Sequence, residues 1–163
     1  MGQTTELCFK TQSTNNLNVI RIRYMYMNWF EARYWVTYIP GKDEGTLFKM
    51  LKADKVRIFQ LANIFSDVEL FKVVMETFPL NPLLSGQVIW AAFEDSLFEG
   101  LSDITEKNIA VVWSEASRFA RDSCPEFETA IASLSTVAQE LESQQKQMRI
   151  FLIDNDGYFK STG

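Results

Sequence analysis

One hundred and sixty-three residues at 18.8 kDa make one compact domain with at most a modest accessory piece, since globular domains mostly run about 100 to 200 residues. A hydrophobic share of 47%, with 13 Phe, 4 Trp and 5 Tyr against only 7 Gly and 4 Pro, excludes a disordered or linker-dominated chain. The formal net charge is −5 and histidine is absent, which removes the commonest general base and metal ligand and disfavours most hydrolytic enzymes.

From Leu17 to Met27, Ile20, Ile22, Tyr24 and Tyr26 alternate with Arg21, Arg23 and Met25, the period-two pattern of a strand with one wetter face. Tyr34 to Ile39 repeats it, and Pro40-Gly41 ends the run. The segment between the two runs has hairpin length, which predicts an N-terminal antiparallel strand pair. Lys42 to Asp54, with Leu47, Phe48, Met50 and Leu51, reads as a short connecting helix. Val56 to Leu61 has strand length. After it, Ser66 and Glu69 stand three apart before an apolar stripe, as in a capping box.

Pro79, Pro82 and Gly86 mark a loop, and a second helix is expected from about Gln87 to Glu99, with Gly100 placed to stop it. Ile109 to Trp113 and Met148 to Ile153 are continuous apolar runs, the pattern of strands covered on both faces. Between them Phe127, Ile131, Leu134, Ala138 and Leu141 step by four and three residues on a helix opened by Pro125. Three short strands separated by helices imply an α/β fold with a small three-stranded parallel sheet and right-handed crossovers.

Charge is unevenly spread. Residues 1–60 hold nine Lys/Arg against five Asp/Glu, whereas residues 85–143 hold three against eleven. An excess of acid argues against direct nucleic-acid binding, which needs cations gathered on one face. Cys8 and Cys124 form no CxxC pair, so zinc and thiol-protease readings have no support and no disulfide framework is expected. With neither a signal-peptide pattern nor a stretch of about 18 uninterrupted apolar residues, the chain is expected in the cytoplasm without a membrane segment.

The most tempting catalytic motif is the apolar run Phe151-Leu152-Ile153 followed by Asp154-Asn155-Asp156-Gly157. It resembles the first motif of the haloacid-dehalogenase phosphatases and suggests, as an alternative, a divalent-metal-dependent hydrolase using Asp154 and Asp156. Only six residues follow Gly157, too few for the downstream Lys and acid pair of those enzymes. A strand end followed by an Asp-Gly turn is the plainer reading. Glu94 and Asp95 are neighbours on a helix and point about 100° apart, so they do not flank a substrate as an acid/base pair. No cofactor is expected.

The loop Pro82-Leu83-Leu84-Ser85-Gly86, the acidic helix Ala91-Ala92-Phe93-Glu94-Asp95-Ser96-Leu97 and the terminal strand Met148-Arg149-Ile150-Phe151-Leu152, in that order, resemble the barstar family of intracellular inhibitors of barnase-type ribonucleases. The resemblance spans about Lys55 to Ile153. It implies a barstar-like domain over residues 55–163, with residues 1–54 as a β-hairpin extension and linker. It also implies inhibition by occlusion, in which loop and helix plug the basic active site of a nuclease and carboxylates replace substrate phosphates.

Asp95 falls on the family's dominant carboxylate and Glu140 on a peripheral one. Ala91 stands where the family has another acid, Glu94 where it has Trp, and Leu84 where it has Tyr; these departures point away from barnase itself as the target. The resemblance thus implies an immunity protein binding a basic nuclease or polymorphic toxin domain one to one through Leu84, Gly86, Ala91, Glu94, Asp95, Glu99 and Glu140. A scaffold role on the same fold is the other alternative.

Overall fold

A computed structural model describes residues 35–161. In chain order these form β1 (Val36–Pro40), a 3-10 turn (Gly41–Asp43), α1 (Glu44–Ala53), β2 (Arg57–Leu61), α2 (Asp67–Thr77), α3 (Trp90–Asp103), β3 (Asn108–Trp113), α4 (Ala116–Asp122), α5 (Cys124–Glu142), β4 (Gln147–Asp154) and α6 (Tyr158–Ser161). The strands make one sheet in the order β1-β4-β3-β2, every neighbouring pair parallel. The fold is mixed α/β, as the strand and helix alternation implies.

The sheet has four strands rather than three. The run ending at Pro40 is β1, and its sheet neighbour is β4, in register from Val36 opposite Ile150 to Pro40 opposite Asp154. That pairing is parallel because the chain leaves β1 through α1 and returns as β2 at the far edge, with β3 and β4 between. The other half of the expected antiparallel pair, at residues 17–27, lies outside the described residues.

Alternation along the central strands divides the core into two layers. Ile109, Val111 and Trp113 of β3, with Met148, Ile150 and Leu152 of β4, join the helices α2 to α5 in the larger layer. Ala110, Val112, Phe151 and Ile153 point the other way and meet Leu47 and Leu51 of α1, together with Ile39 and Val56. This two-sided burial explains why β3 and β4 read as uninterrupted apolar runs. It also builds β1 and α1 into the sheet and its second face.

Helix starts follow local chemistry. The Ser66 hydroxyl accepts the Glu69 amide at 3.2 Å and the Glu69 carboxylate accepts the Phe65 amide at 2.7 Å, a box closed one residue earlier than the usual form. Pro125 lies in the first turn of α5, where a missing N–H is harmless. Gly100 does not stop its helix: α3 runs on to Asp103, and Gly100 is buried inside it. Cys124, at the head of α5, is disulfide-bonded, an arrangement that two distant cysteines do not suggest.

Candidate interaction site on the acidic helix

The inward stripe of α3 is Phe93, Ser96, Leu97, Gly100 and Leu101, all buried, and the helix packs chiefly against α5. Trp90 meets Phe71 of α2 edge-on at 5.1 Å and Phe93 at 5.5 Å, which fixes the start of the helix by aromatic packing. At the other end the buried Lys146 donates through Nζ to the carbonyl of Ile104 and, at 3.4 Å, to that of Glu106. Both carbonyls lie just past the last helical residue, Asp103, so the lysine ties down the segment by which the chain leaves α3.

With both ends fixed, the opposite face of α3 carries Ala91, Asp95 and Glu99, each exposed. Steps of four residues bring these three side chains onto one stripe. Glu94, half-buried, lies on the flank of that stripe. Among the described residues no ion pair engages Glu94, Asp95 or Glu99, whereas Arg57 pairs with Glu106, Arg118 with Asp122 and Arg121 with Asp156. Among the described residues, therefore, nothing pairs with the exposed acids of α3.

The loop before α3 is attached to it at three points. The Ser96 hydroxyl donates to the Pro82 carbonyl, the Asn81 amide donates to the Ser96 carbonyl at 3.0 Å, and the Pro79 carbonyl lies so close to Gly100 that a Cβ there would sit 1.3 Å from it. Gly86 is exposed with φ +88, the left-handed region open to glycine. Of the adjacent leucines, Leu84 is half-buried against the core while Leu83 is 82% exposed.

The structure thus gathers Ala91, Asp95 and Glu99 on one stripe and sets the loop bearing Gly86 against the same helix. Glu94 is turned aside, Leu84 turns inward, and Glu140 lies exposed on α5. The sequence pattern assigns no contact role to Ser96, Lys146 or Leu83, and it reads Gly100 as a helix stop. A serine and a glycine inside an otherwise apolar stripe are the signal that marks the loop contact, since an apolar residue belongs there unless something polar or close must be met.

The Asp154–Asp156 motif has other employment. Asp154 is buried, and its two carboxylate oxygens accept the amides of Tyr158 at 3.0 Å and Phe159 at 3.2 Å. Asp156 accepts the Tyr158 amide at 3.2 Å and pairs with Arg121. Both cap the start of α6, so the strand-end turn is the reading that the geometry supports. Among the described residues no three Asp, Glu, Cys or His side chains gather to hold a metal, and no helix is long and apolar enough to cross a membrane.

No curated protein matches the chain. The family model for barstar, the barnase inhibitor, matches residues 55–153, a span that begins just before β2 and ends within β4 and so takes in the loop, the acidic helix and its anchors. With order, sheet and acidic helix in agreement with that match, the chain belongs to the barstar (barnase inhibitor) family.

Proposed function

We propose that this protein is an immunity or inhibitor protein that binds a basic nuclease toxin one to one and blocks its active site with α3 and the preceding loop. Members of the family are inhibitors rather than enzymes. The observation that carries the reading is the exposed stripe Ala91, Asp95 and Glu99, whose acids have no ion-pair partner among the described residues, on a helix with a loop fastened to it. Carboxylates held this way offer negative charge in place of substrate phosphates and meet Arg or Lys through charge-assisted hydrogen bonds. Fixed geometry limits the ordering that binding would otherwise require.

Asp95 is the central contact, with Glu99 a turn further on and Gly86, Leu84, Glu94 and Glu140 at the margins. Replacing the acid or aromatic side chains of the family pattern at Ala91, Glu94 and Leu84 tunes the surface to a nuclease other than barnase, since specificity needs misfit to the wrong partner as well as fit to the right one.

The test is inhibition of barnase-type ribonucleases and of any nuclease encoded beside this chain's gene, with stoichiometry from calorimetry. Asp95→Ala is expected to weaken binding by about 2 to 5 kcal/mol, the range for losing one partner of a desolvated charge pair. Asp156→Ala is expected to leave binding unchanged. Equal effects of the two substitutions, both on folded protein, would sink the proposed face.

A further inference from the structure

Among the described residues the most exposed large apolar side chains are Val68 at 61%, Met75 at 39%, Leu83 at 82% and Ile89 at 47%. All four fall within one short stretch of chain, on α2, the loop and the N-cap of α3, and Leu83 is the most exposed of them. An isolated exposed leucine is ordinary in a folded protein. Leu83 is distinguished by how it is held. The Pro82 carbonyl is bonded by Ser96 and the Asn81 amide by the Ser96 carbonyl, so the two residues before Leu83 are both fixed to one residue of α3. Leu84, immediately after it, packs against the core.

Leu83 therefore projects from a short segment fastened on both sides, and it cannot turn inward without breaking one of those attachments. Ser96 directly follows Asp95 on the helix, so the residue that fixes the loop also fixes where the loop stands relative to the acidic stripe. Small side chains at Ala91 and Ala92, both exposed, leave room for a partner's backbone to approach the helix there.

We infer that Leu83 is the apolar contact that selects this protein's partner, and that Ser96 is the positioning residue that sets Leu83 and Asp95 in register. The inference rests on the inhibitor reading above and names the partner more closely: a nuclease whose cationic cleft adjoins an aliphatic-lined recess able to take one leucine. The exposed carboxylates of Asp95 and Glu99 meet the cleft, and Leu83 fills the recess. A segment already held in place loses little freedom on docking, so the contact is made at small entropic loss.

The experiment uses the full chain and the nuclease it inhibits in the preceding test. Leu83→Ser is expected to raise Kd by about thirtyfold or more, an effect of hot-spot size, with the melting temperature unchanged because the side chain is already in solvent. Leu83→Ser binding within about twofold of the original chain, while Asp95→Ala binds poorly, overturns the selection role and leaves the inhibitor reading intact. Failure of the original chain to inhibit any of the nucleases overturns both. Ser96→Ala removes the hydroxyl bond to the Pro82 carbonyl and keeps the backbone bond from the Asn81 amide to the Ser96 carbonyl, so the loosened loop should exchange faster at Asn81 while the amides of α5 keep their protection, together with weaker binding. Unchanged exchange at Asn81 and unchanged affinity would remove Ser96 from the positioning role.

Discussion

Tyr38 lies on β1 with its ring stacked on Phe159 at 4.6 Å, and burial pushes its phenol up from 10.0 to about 12. The neutral phenol is the form the folded protein prefers. Below pH 10 folded and unfolded chains both keep that proton, and the contribution to stability is fully present. Between pH 10 and 12 the unfolded chain releases the proton while the folded one holds it, so stability falls as pH rises through that window. Across the whole window the loss amounts to about 2 to 3 kcal/mol. Urea unfolding measured from pH 9 to 12 should show this loss, and Tyr38→Phe should flatten it; an unchanged alkaline slope in the variant would assign the loss elsewhere.

The identity of a residue says little about its role until its surroundings are known. Asp95 and Asp156 are both surface aspartates in the same chain, yet one stands on an open helix stripe and the other closes the first turn of α6 against Arg121. Reading Asp154-Asn155-Asp156-Gly157 as a turn needs only local residue types. Separating Leu83 from Leu84 needs the fold, because adjacent leucines in a loop carry no period that says which one faces inward.

At the scale of elements, Gly100 poses two opposed effects. Alanine is the better helix former by about 1 kcal/mol, but the new Cβ would collide with the Pro79 carbonyl, which is backbone and part of the loop. Overpacking of this kind costs about 1 to 3 kcal/mol. Gly100→Ala should therefore lower the melting temperature and displace the loop from α3, seen as faster exchange at Asn81. A rise in melting temperature would show that the loop yields easily and that helix propensity decides.

The same glycine shows what sequence pattern conveys and what it omits. A glycine just past an apolar stripe is a C-cap signal, and that local rule failed because the glycine answers a contact with a residue about twenty positions earlier. Helices α2 and α5 were legible from their caps and stripes, and β3 and β4 from their unbroken apolar runs. Helix α4 was not, since seven residues hold less than two full periods. β1 was legible as a strand, but alternation says nothing about direction, so its parallel pairing with β4 could not be read. Within the site, the acidic stripe was legible from spacing. The attachment through Ser96 was not, because nothing in the local sequence says that a helix serine and a loop carbonyl will meet.

Among the described residues, charge is unequal on the two faces of the sheet. The acids of residues 85–143 lie largely on the helices of the larger layer, while on and around α1, on the other side, Lys42, Lys49, Lys52 and Lys55 offset Asp43, Glu44 and Asp54. A basic partner would be drawn toward the acidic side and turned toward it before contact. The association rate should accordingly fall steeply as salt rises from about 0.05 to 0.5 M, with dissociation changing little. Stopped-flow measurement that finds a flat association rate would remove steering from the account.

The second sheet face has a practical consequence for where the protein can be cut. The family match begins at Lys55, yet Ile39, Leu47 and Leu51 lie before it and cover Ala110, Val112, Phe151 and Ile153. A chain starting at Lys55 would present that apolar surface to water and leave the edge of β4 without its neighbour, a template for pairing with other chains. It is expected to aggregate, whereas the full chain, which keeps β1, α1 and the Cys124 disulfide, should remain monodisperse and melt cooperatively, which size-exclusion chromatography and thermal melts would distinguish. A monodisperse, cooperatively melting chain from Lys55 would instead make β1 and α1 dispensable. Evolutionary kinship and structural completeness thus have different borders in this protein: the span that is recognisably inherited begins later than the sheet to which it belongs.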